Sequence, residues 1–367
     1  MANGFRPALL RHINLLAQEA SPQTKLDPQG AINLLQSQNK PQVLRLNNSA
    51  GHKETLTVKY LQRATEDLTD TTYSCDQVNT NTYLEQDVDV SFRRQYAFQI
   101  DDETIARYED EASRTVTIGN PSTGVLGEIF TQIQAGANAI LNGIASDLWP
   151  LMVADIGENI VTGLTTAKTI NLPLDATVNN LSAGETELVS DYRLNGGVGR
   201  PQIVGDGNIF KFFLQQVAKS ANQAGVDTRI FANGMDFYHD TKATTELGAN
   251  EAIVYQPNAV QIVEYMENTG FKAGDKPDGS SFFVLPLPMD MGDGNVVPVE
   301  FDVQVRYQSC PETLTDAYYG TSISAQKGWT VYLRKRGGLF TLPADAYRVG
   351  DRLRSNRGSL RYVFTNV

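Results

Sequence analysis

Residues 126–150 read LGEIFTQIQAGANAILNGIASDLWP, and their large apolar side chains recur in steps of three and four. This spacing predicts an α-helix from Leu126 to Leu148 with one continuous apolar stripe. Small residues between the large ones allow a neighbouring element to approach closely. Trp149-Pro150 should kink or end the helix, because proline removes a helical hydrogen bond. The stripe consists of Leu126, Ile129, Phe130, Ile133, Ala137, Ile140, Leu141, Ile144 and Leu148.

The segments on either side of this helix predict both strands and helices. Apolar residues alternate cleanly between Val88 and Ile100, which predicts one long, half-buried strand. Helical spacing predicts two further helices, at 208–223 and at 257–269, each followed by a glycine. Alternation returns near the C-terminus, where it predicts closing strands. Strands, a long helix, a mixed region and closing strands together predict an α+β fold.

Residues 1–42 differ in composition from the rest of the chain. They contain four prolines and many Gln and Asn residues around one short helical pattern, Ala8–Ala17. Such a segment buries too little of itself to fold alone. We therefore expect an N-terminal arm that becomes ordered by lying on a neighbouring molecule.

The charges are unevenly distributed along the chain. The net charge is −11, yet the residues from Lys327 to the end carry nine basic and two acidic groups, a net of +7, which leaves −18 on the other 326 residues. A basic C-terminal segment on an acidic body suits contacts between copies, or places cations near nucleic acid. The alternative is an ordinary basic sheet edge, since Lys and Arg discourage unwanted strand pairing there.

Candidate catalytic and ligand-binding patterns are weak. The three histidines, His12, His52 and His239, stand alone in sequence, and Cys75 and Cys310 are far apart. We therefore predict no catalytic, cofactor or metal site and no disulfide framework. The N-terminus has no signal-peptide pattern and the most apolar stretch is too short to span a bilayer, so we expect an intracellular product without a membrane partner.

The C-terminal residues carry a family resemblance. Residues 338–347 read GLFTLPADAY, residues 350–353 read GDRL and residues 358–364 read GSLRYVF, which looks like the closing segment of phage capsid proteins. Together with the order of the segments, the chain resembles the major capsid proteins of tailed bacteriophages, which have the Hong Kong 97-type fold. The resemblance is one of layout over much of the chain and not of an invariant motif.

The resemblance implies a division of the chain into five parts. Residues 1–42 would be the N-terminal arm, and 43–100 an extended β-hairpin loop and the start of the peripheral domain. Residues 101–165 would hold the spine helix of that domain, 166–310 the axial domain, and 311–367 the closing strands of the peripheral domain.

The function that the resemblance implies is structural and not enzymatic. Copies would assemble as hexamers and pentamers into an icosahedral shell around double-stranded DNA, which they contact non-specifically. Scaffold, portal and decoration proteins are the further partners that the family suggests. The product would be part of the virion, assembled in the host cytoplasm. As a hypothesis, the assembly contacts are Phe5, Leu9, Ile13 and Leu16 in the arm and Arg352, Arg354 and Arg357 near the C-terminus.

Two other classes of protein remain as alternatives. One is another self-assembling protein, either an encapsulin-like nanocompartment shell or a different phage structural protein such as a tail-tube subunit. The other is a hydrolase with a dispersed active site, whose candidate acids would be Asp101-Asp102 or Glu109-Asp110-Glu111. Adjacent acids on a helix point in different directions, so a solvated face is the simpler interpretation.

Overall fold

The fold combines helices and sheets, which confirms the predicted α+β class. Its five helices in the described residues are α1 (Gly30–Ser37), α2 (Val125–Ala154), α3 (Leu181–Leu194), α4 (Gly207–Lys219) and α5 (Ala243–Glu246). The structure is a computed structural model that describes residues 26, 30–38, 40–48, 54–61, 83–101, 125–157, 159, 167–171, 181–219, 225–226, 229–232, 234–267, 269, 273–275, 280–290, 296–309, 314–315, 322–323, 327–342, 348–349, 352–353 and 358–365.

The strands of the described residues form three larger sheets and two short ribbons. The three-stranded sheet contains β1 (Gln42–Asn48), β2 (Glu54–Leu61) and β3 (Tyr83–Asp89). The six-stranded sheet contains β4 (Phe92–Asp101), β11 (Val260–Glu264), β12 (Gly274–Asp275), β13 (Ser281–Asp290), β14 (Val296–Ser309) and β17 (Lys327–Thr341). The seven-stranded sheet contains β5 (Lys168–Asn171), β6 (Gln202–Gly205), β7 (Gly225–Val226), β8 (Arg229–Ala232), β9 (Met235–His239), β10 (Glu251–Tyr255) and β20 (Ser359–Thr365). The ribbons pair β15 (Leu314–Thr315) with β16 (Ser322–Ile323), and β18 (Arg348–Val349) with β19 (Arg352–Leu353).

Helix α2 confirms the long helix predicted from residues 126–148, and it lies on the six-stranded sheet against β4 and β17. Its small residues allow this close approach: a Cβ at Gly136 would lie 2.2 Å from the ring of Tyr96. Of the two effects predicted for Trp149-Pro150, a kink or an end, the end does not occur, because α2 continues to Ala154. Pro150 is exposed, while Trp149 and Met152 beside it are almost completely buried. Burial of those two side chains holds the last turn in place despite the missing hydrogen bond.

Strand β17 lies in the interior of the six-stranded sheet. It pairs with β14 and then β11 along one edge and with β4 along the other, always antiparallel. The alternative of a basic sheet edge near the C-terminus is therefore wrong for residues 327–341.

The predicted long strand over 88–100 is two strands in two different sheets. β3 pairs with β2, whereas β4 pairs with β17. The chain changes sheets between them, where Val90 N–H donates to the carbonyl of Glu54 and Ser91 N–H to that of Gly337. The alternation of apolar residues continues across this change, so periodicity alone could not locate it.

The seven-stranded sheet has the order β5-β20-β10-β6-β9-β8-β7, with parallel pairing in β5/β20 and β6/β9. Helix α4, as predicted from residues 208–223, packs on it through Phe212 and Phe213, and the rings of Phe213 and Phe237 stack at 5.0 Å. β20 belongs to this sheet while β17 belongs to the six-stranded one. The closing strands are thus divided between two sheets, whereas the resemblance implied that all of them belong to the domain of the long helix.

The helix predicted at 257–269 is wrong. The chain turns at Asn258, whose φ is 63°, and residues 260–264 form β11. Val260, Ile262 and Val263 are β-branched and buried against other elements. The pairing of β11 with β17 overrides the helical spacing of Val260 and Val263, and it buries Ile262, which a helix would leave partly exposed.

Helix α1 and Leu26 show that the end of the expected arm packs in its own chain. Every side chain of α1 from Ala31 to Leu35 is buried, and Leu26 is 2% exposed. The Asp240 carboxylate accepts a hydrogen bond from the Ala31 N–H at 3.0 Å, which satisfies one free amide at the start of the helix. A Cβ at Gly30 would lie 2.0 Å from the His239 carbonyl oxygen. The bounds predicted for the arm, 1–42, therefore include residues that pack within their own chain.

Candidate assembly surface

The predicted assembly contacts lie almost entirely outside the described residues. This holds for Phe5, Leu9, Ile13 and Leu16 in the arm and for Arg354 and Arg357. Arg352 is in β19, opposite Val349 of β18, and only its backbone is described. The seven assembly contacts therefore stay a hypothesis.

Three of the four basic side chains that the structure describes in the C-terminal segment have acidic partners in their own chain. Lys335 contacts Glu264, Arg336 contacts Glu267, and Arg361 donates to Glu251 from Nε at 2.6 Å. Within the described residues, these three ion pairs neutralise part of the net charge of +7 that was counted from the sequence.

A buried ion network joins three elements next to the long helix. Glu264 of β11 lies 2.7 Å from Lys335 Nζ of β17 and 3.0 Å from Lys40 Nζ, and it accepts a hydrogen bond from Gln36 of α1 at 2.7 Å. The Lys335 side chain is completely buried, donates to the carbonyl of Glu300 at 2.7 Å and lies 4.9 Å from the centre of the Phe301 ring. The network fixes α1, β11 and β17 relative to one another.

The ionisation of this network follows from its geometry. Burial acts to raise the pKa of Glu264, but the charges of Lys335 and Lys40 and the hydrogen bonds from Lys335 and Gln36 outweigh it and lower the pKa from 4.5 to about 2. Burial lowers the pKa of Lys335, and Glu264 acts in the opposite direction. We conclude that Glu264 is ionised at neutral pH and that Lys335 depends on it as a counter-ion.

The face of the six-stranded sheet that points away from α2 carries a second charged group. Arg93 and Arg336 are opposite one another on β4 and β17. Glu54 lies 2.7 Å from Arg93 and 3.6 Å from Arg336, while Glu267 lies 2.7 Å from Arg336. Arg336 also stacks over the ring of Tyr265 at 4.7 Å. Two acids therefore hold these two guanidinium groups in place.

Arg334 is held differently, without an acidic partner among the described residues. Its Nε donates to Gln95 Oε1 at 2.7 Å, and its guanidinium lies 5.4 Å from the centre of the Tyr332 ring. It lines a cavity of about 190 Å³ on the same face of the sheet. The other residues of that cavity are Arg93, Arg94, Gln95, Glu267, Asp302, Lys335 and Arg336.

A third buried polar cluster supports the seven-stranded sheet. Asp191 of α3 is 1% exposed and accepts hydrogen bonds from Asn159 and Tyr362 at 2.8 and 2.7 Å, and from Lys168 at 2.8 Å. Asn195 donates to the same carboxylate. Desolvation and the bond to Asp191 raise the pKa of Tyr362. Because four donors saturate this carboxylate, the cluster is a structural support.

The described residues show no cluster of side chains that could bind a metal ion. They contain no group of three or more His, Cys, Asp or Glu side chains placed to hold a metal ion. Of the acids named for a hydrolase, Asp101 ends β4 and the others lie outside the described residues. No helix within the described ranges is long and apolar enough to cross a membrane.

Sequence reasoning missed the Glu264–Lys335 pair, although a signal was present. Trp329, Val331 and Leu333 alternate toward α2, and Lys335 occupies the next position on that face. A lysine that continues a buried row needs a counter-ion. Glu264 could not be paired with it while residues 257–269 were assigned to a helix.

No protein-family model matches the chain, and no curated protein matches it. The chain is similar to solved structures of phage capsids. It matches the capsid asymmetric unit of cyanophage A-1(L) with a TM-score of 0.46, 10% identity and 95% of each chain covered. It matches a Mycobacterium phage Bobi structure with a TM-score of 0.41 and 13% identity, covering 97% of this chain and 98% of that one. It matches a virus-like particle from Pyrococcus furiosus with a TM-score of 0.32 and 8% identity, covering 97% of this chain and 96% of that one. Since the TM-scores are below 0.5 and the identities near 10%, the function of this chain has to be argued from its own residues.

Proposed function

We propose that this chain is a major capsid protein, many copies of which assemble into the icosahedral shell that encloses the double-stranded DNA of a tailed bacteriophage. The observation that carries the proposal is the placement of α2. This 30-residue helix lies on the sheet between β4, which precedes it, and β17, which follows it after 172 intervening residues.

The order of the other elements supports the same proposal. A three-stranded sheet over 42–89 precedes the helix, and a seven-stranded sheet is formed largely from the chain between the helix and β11. β17 then returns to the helix. An extended sheet, a spine helix, a second sheet and a returning strand are the sequence of parts that the resemblance to tailed-phage capsid proteins implies.

The interior suits a rigid building block. One hydrophobic cluster joins α1, α2 and the six-stranded sheet, and a second fills the seven-stranded sheet. The network around Glu264 adds a polar constraint between α1, β11 and β17. In a shell, identical contacts are repeated in every copy, so a rigid subunit turns modest interfaces into a defined curvature.

Expression of the full-length chain followed by size-exclusion chromatography and negative-stain electron microscopy tests the proposal. We expect closed shells, or hexamers and pentamers that close into shells. Scaffold and other partner proteins would assist this assembly. Nuclease-protected double-stranded DNA in particles from infected cells would support the capsid function. Shells that contain a cargo enzyme would establish a nanocompartment instead. A monomer or dimer at all concentrations, also in the presence of the other structural proteins of its virus, would refute shell formation.

A further inference from the structure

We propose that the cavity at Arg334 receives a carboxylate side chain from a second copy of this chain. This inference rests on the proposed function, because it names one of the contacts through which the copies would assemble.

The first argument is the state of the Arg334 guanidinium. Gln95 Oε1 accepts from Nε at 2.7 Å and the Tyr332 ring supports the guanidinium plane. These contacts leave the two terminal nitrogens for a further acceptor, since no carboxylate in the described part of the chain pairs with Arg334. A guanidinium held in this way presents a fork that matches a carboxylate in two parallel hydrogen bonds and loses little freedom on binding.

The second argument is the charge around the cavity. Arg93 and Arg336 share Glu54 and Glu267 as counter-ions, whereas Arg334 has no carboxylate within ion-pair distance among the described residues. Asp302 is directly opposite Arg334 in the β14–β17 register, but one of its carboxylate oxygens accepts the Glu267 N–H at 2.7 Å. A further carboxylate would supply the hydrogen bonds that the terminal nitrogens of Arg334 do not receive from Asp302.

The volume of the cavity and the acidity of the rest of the chain indicate which partner binds there. The volume of about 190 Å³ is room for about six water molecules, which suits one acidic side chain. The 326 residues before Lys327 carry a net charge of −18, so a second copy offers many carboxylates. A nucleic-acid backbone carries a phosphate charge about every 1.7 Å along a duplex, and Glu267 and Asp302 in the cavity wall would repel the additional phosphates.

The test compares Arg334→Gln with Arg334→Lys and with the matched control Arg306→Gln. Arg306 is exposed on β14, on the same face of the sheet and four residues, or about 13 Å, along the strand from the position opposite Arg334. The measured quantity is the lowest protein concentration at which the purified chain forms shells without nucleic acid, followed by light scattering and electron microscopy. We expect Arg334→Gln to raise it roughly tenfold or more, Arg334→Lys to have an intermediate effect and Arg306→Gln to change it less than about twofold.

Salt gives a second readout. Between about 0.1 M and about 1 M salt the Debye length falls from about 10 Å to about 3 Å, so assembly of the original chain should weaken more than that of Arg334→Gln. Equal behaviour of Arg334→Gln and Arg306→Gln would overturn the inference while leaving shell formation intact. Arg334→Gln shells that form normally but bind less added double-stranded DNA than those of the original chain would assign the site to phosphate and also overturn it. If the original chain forms no shell under any condition, the proposed function fails and this contact fails with it.

If Arg334→Gln does not fold, an electron-microscopy map of shells of the original chain decides instead. An acidic side chain of a neighbouring copy within hydrogen-bond distance of the Arg334 terminal nitrogens is expected. An Arg334 that faces solvent in every copy would refute the contact.

Discussion

Replacing Glu264 by glutamine should destabilise the chain far more than the same change at a surface ion pair. Glu264→Gln keeps the size of the side chain and its capacity to accept from Gln36, but removes the charge beside Lys335. The Lys335 side chain is completely buried, so it would keep its positive charge without the counter-ion that now lies 2.7 Å away. Removing one partner of a buried ion pair costs about 3–5 kcal/mol.

The pKa of Glu264 gives an independent magnitude. A shift from 4.5 to about 2 corresponds to about 3 kcal/mol of preference for the ionised form in the folded chain. Because the folded-state pKa is the lower one, this stabilisation is present above about pH 4.5 and is lost as the pH falls toward 2. The difference in unfolding free energy between the original chain and Glu264→Gln should therefore be about 3 kcal/mol at pH 7 and should shrink steadily below pH 4.5.

Urea denaturation followed by tryptophan fluorescence measures this difference, since Trp149 is buried near the end of α2. Glu267→Gln is the matched control, because its ion pair with Arg336 is at the surface and should contribute less than about 1 kcal/mol. The double variant Glu264→Gln/Lys335→Met removes both charges and should recover most of the loss. Equal effects of Glu264→Gln and Glu267→Gln, or a Glu264→Gln effect that does not change between pH 5 and pH 2, would refute the argument.

Three further changes test other parts of the structure. Gly136→Ala places a Cβ 2.2 Å from the Tyr96 ring and should destabilise the chain by about 1–3 kcal/mol, measured by thermal unfolding. Gly143→Ala in the same helix is the control: its Cβ meets only the flexible Arg94 side chain at 3.2 Å, so it should be neutral or stabilising. Asp240→Ala removes the acceptor for the Ala31 and Lys242 amides and should cost about 1–2 kcal/mol by the same measurement, with Asp240→Asn losing less. Deleting residues 2–16 should leave circular dichroism and the melting temperature unchanged but abolish shells in electron microscopy; normal shells would contradict the role of the arm.

The parts of the fold that the sequence predicted are those in which local pattern and tertiary packing agree. Residues 126–148 have a long helical stripe, and the helix that it forms continues past Pro150. In α4, residues 207–219, the helical pattern of the sequence also agrees with the packing. Residues 257–269 show the opposite case, because Val260 and Val263 have the spacing of one helical face, yet they are buried together with Ile262 in a strand. These residues form a strand because they pair with β17, which begins more than sixty residues later in the chain.

The candidate site was harder to predict because net charge over a segment does not say where each charge points. In β17 the side chains alternate between the two faces of the sheet, so three consecutive basic residues have three different environments. Lys335 points toward α2 and needs Glu264, Arg336 is paired with Glu267, and Arg334 on the same face as Arg336 is left with Gln95. The segment total of +7 treats them as equivalent, whereas the pairing leaves Arg334 as the one of the three suited to bind another molecule. The number of basic residues in a segment therefore indicates that they contact acidic residues. Strand register is needed to distinguish the ion pairs within the chain from the arginine that we propose binds a second copy.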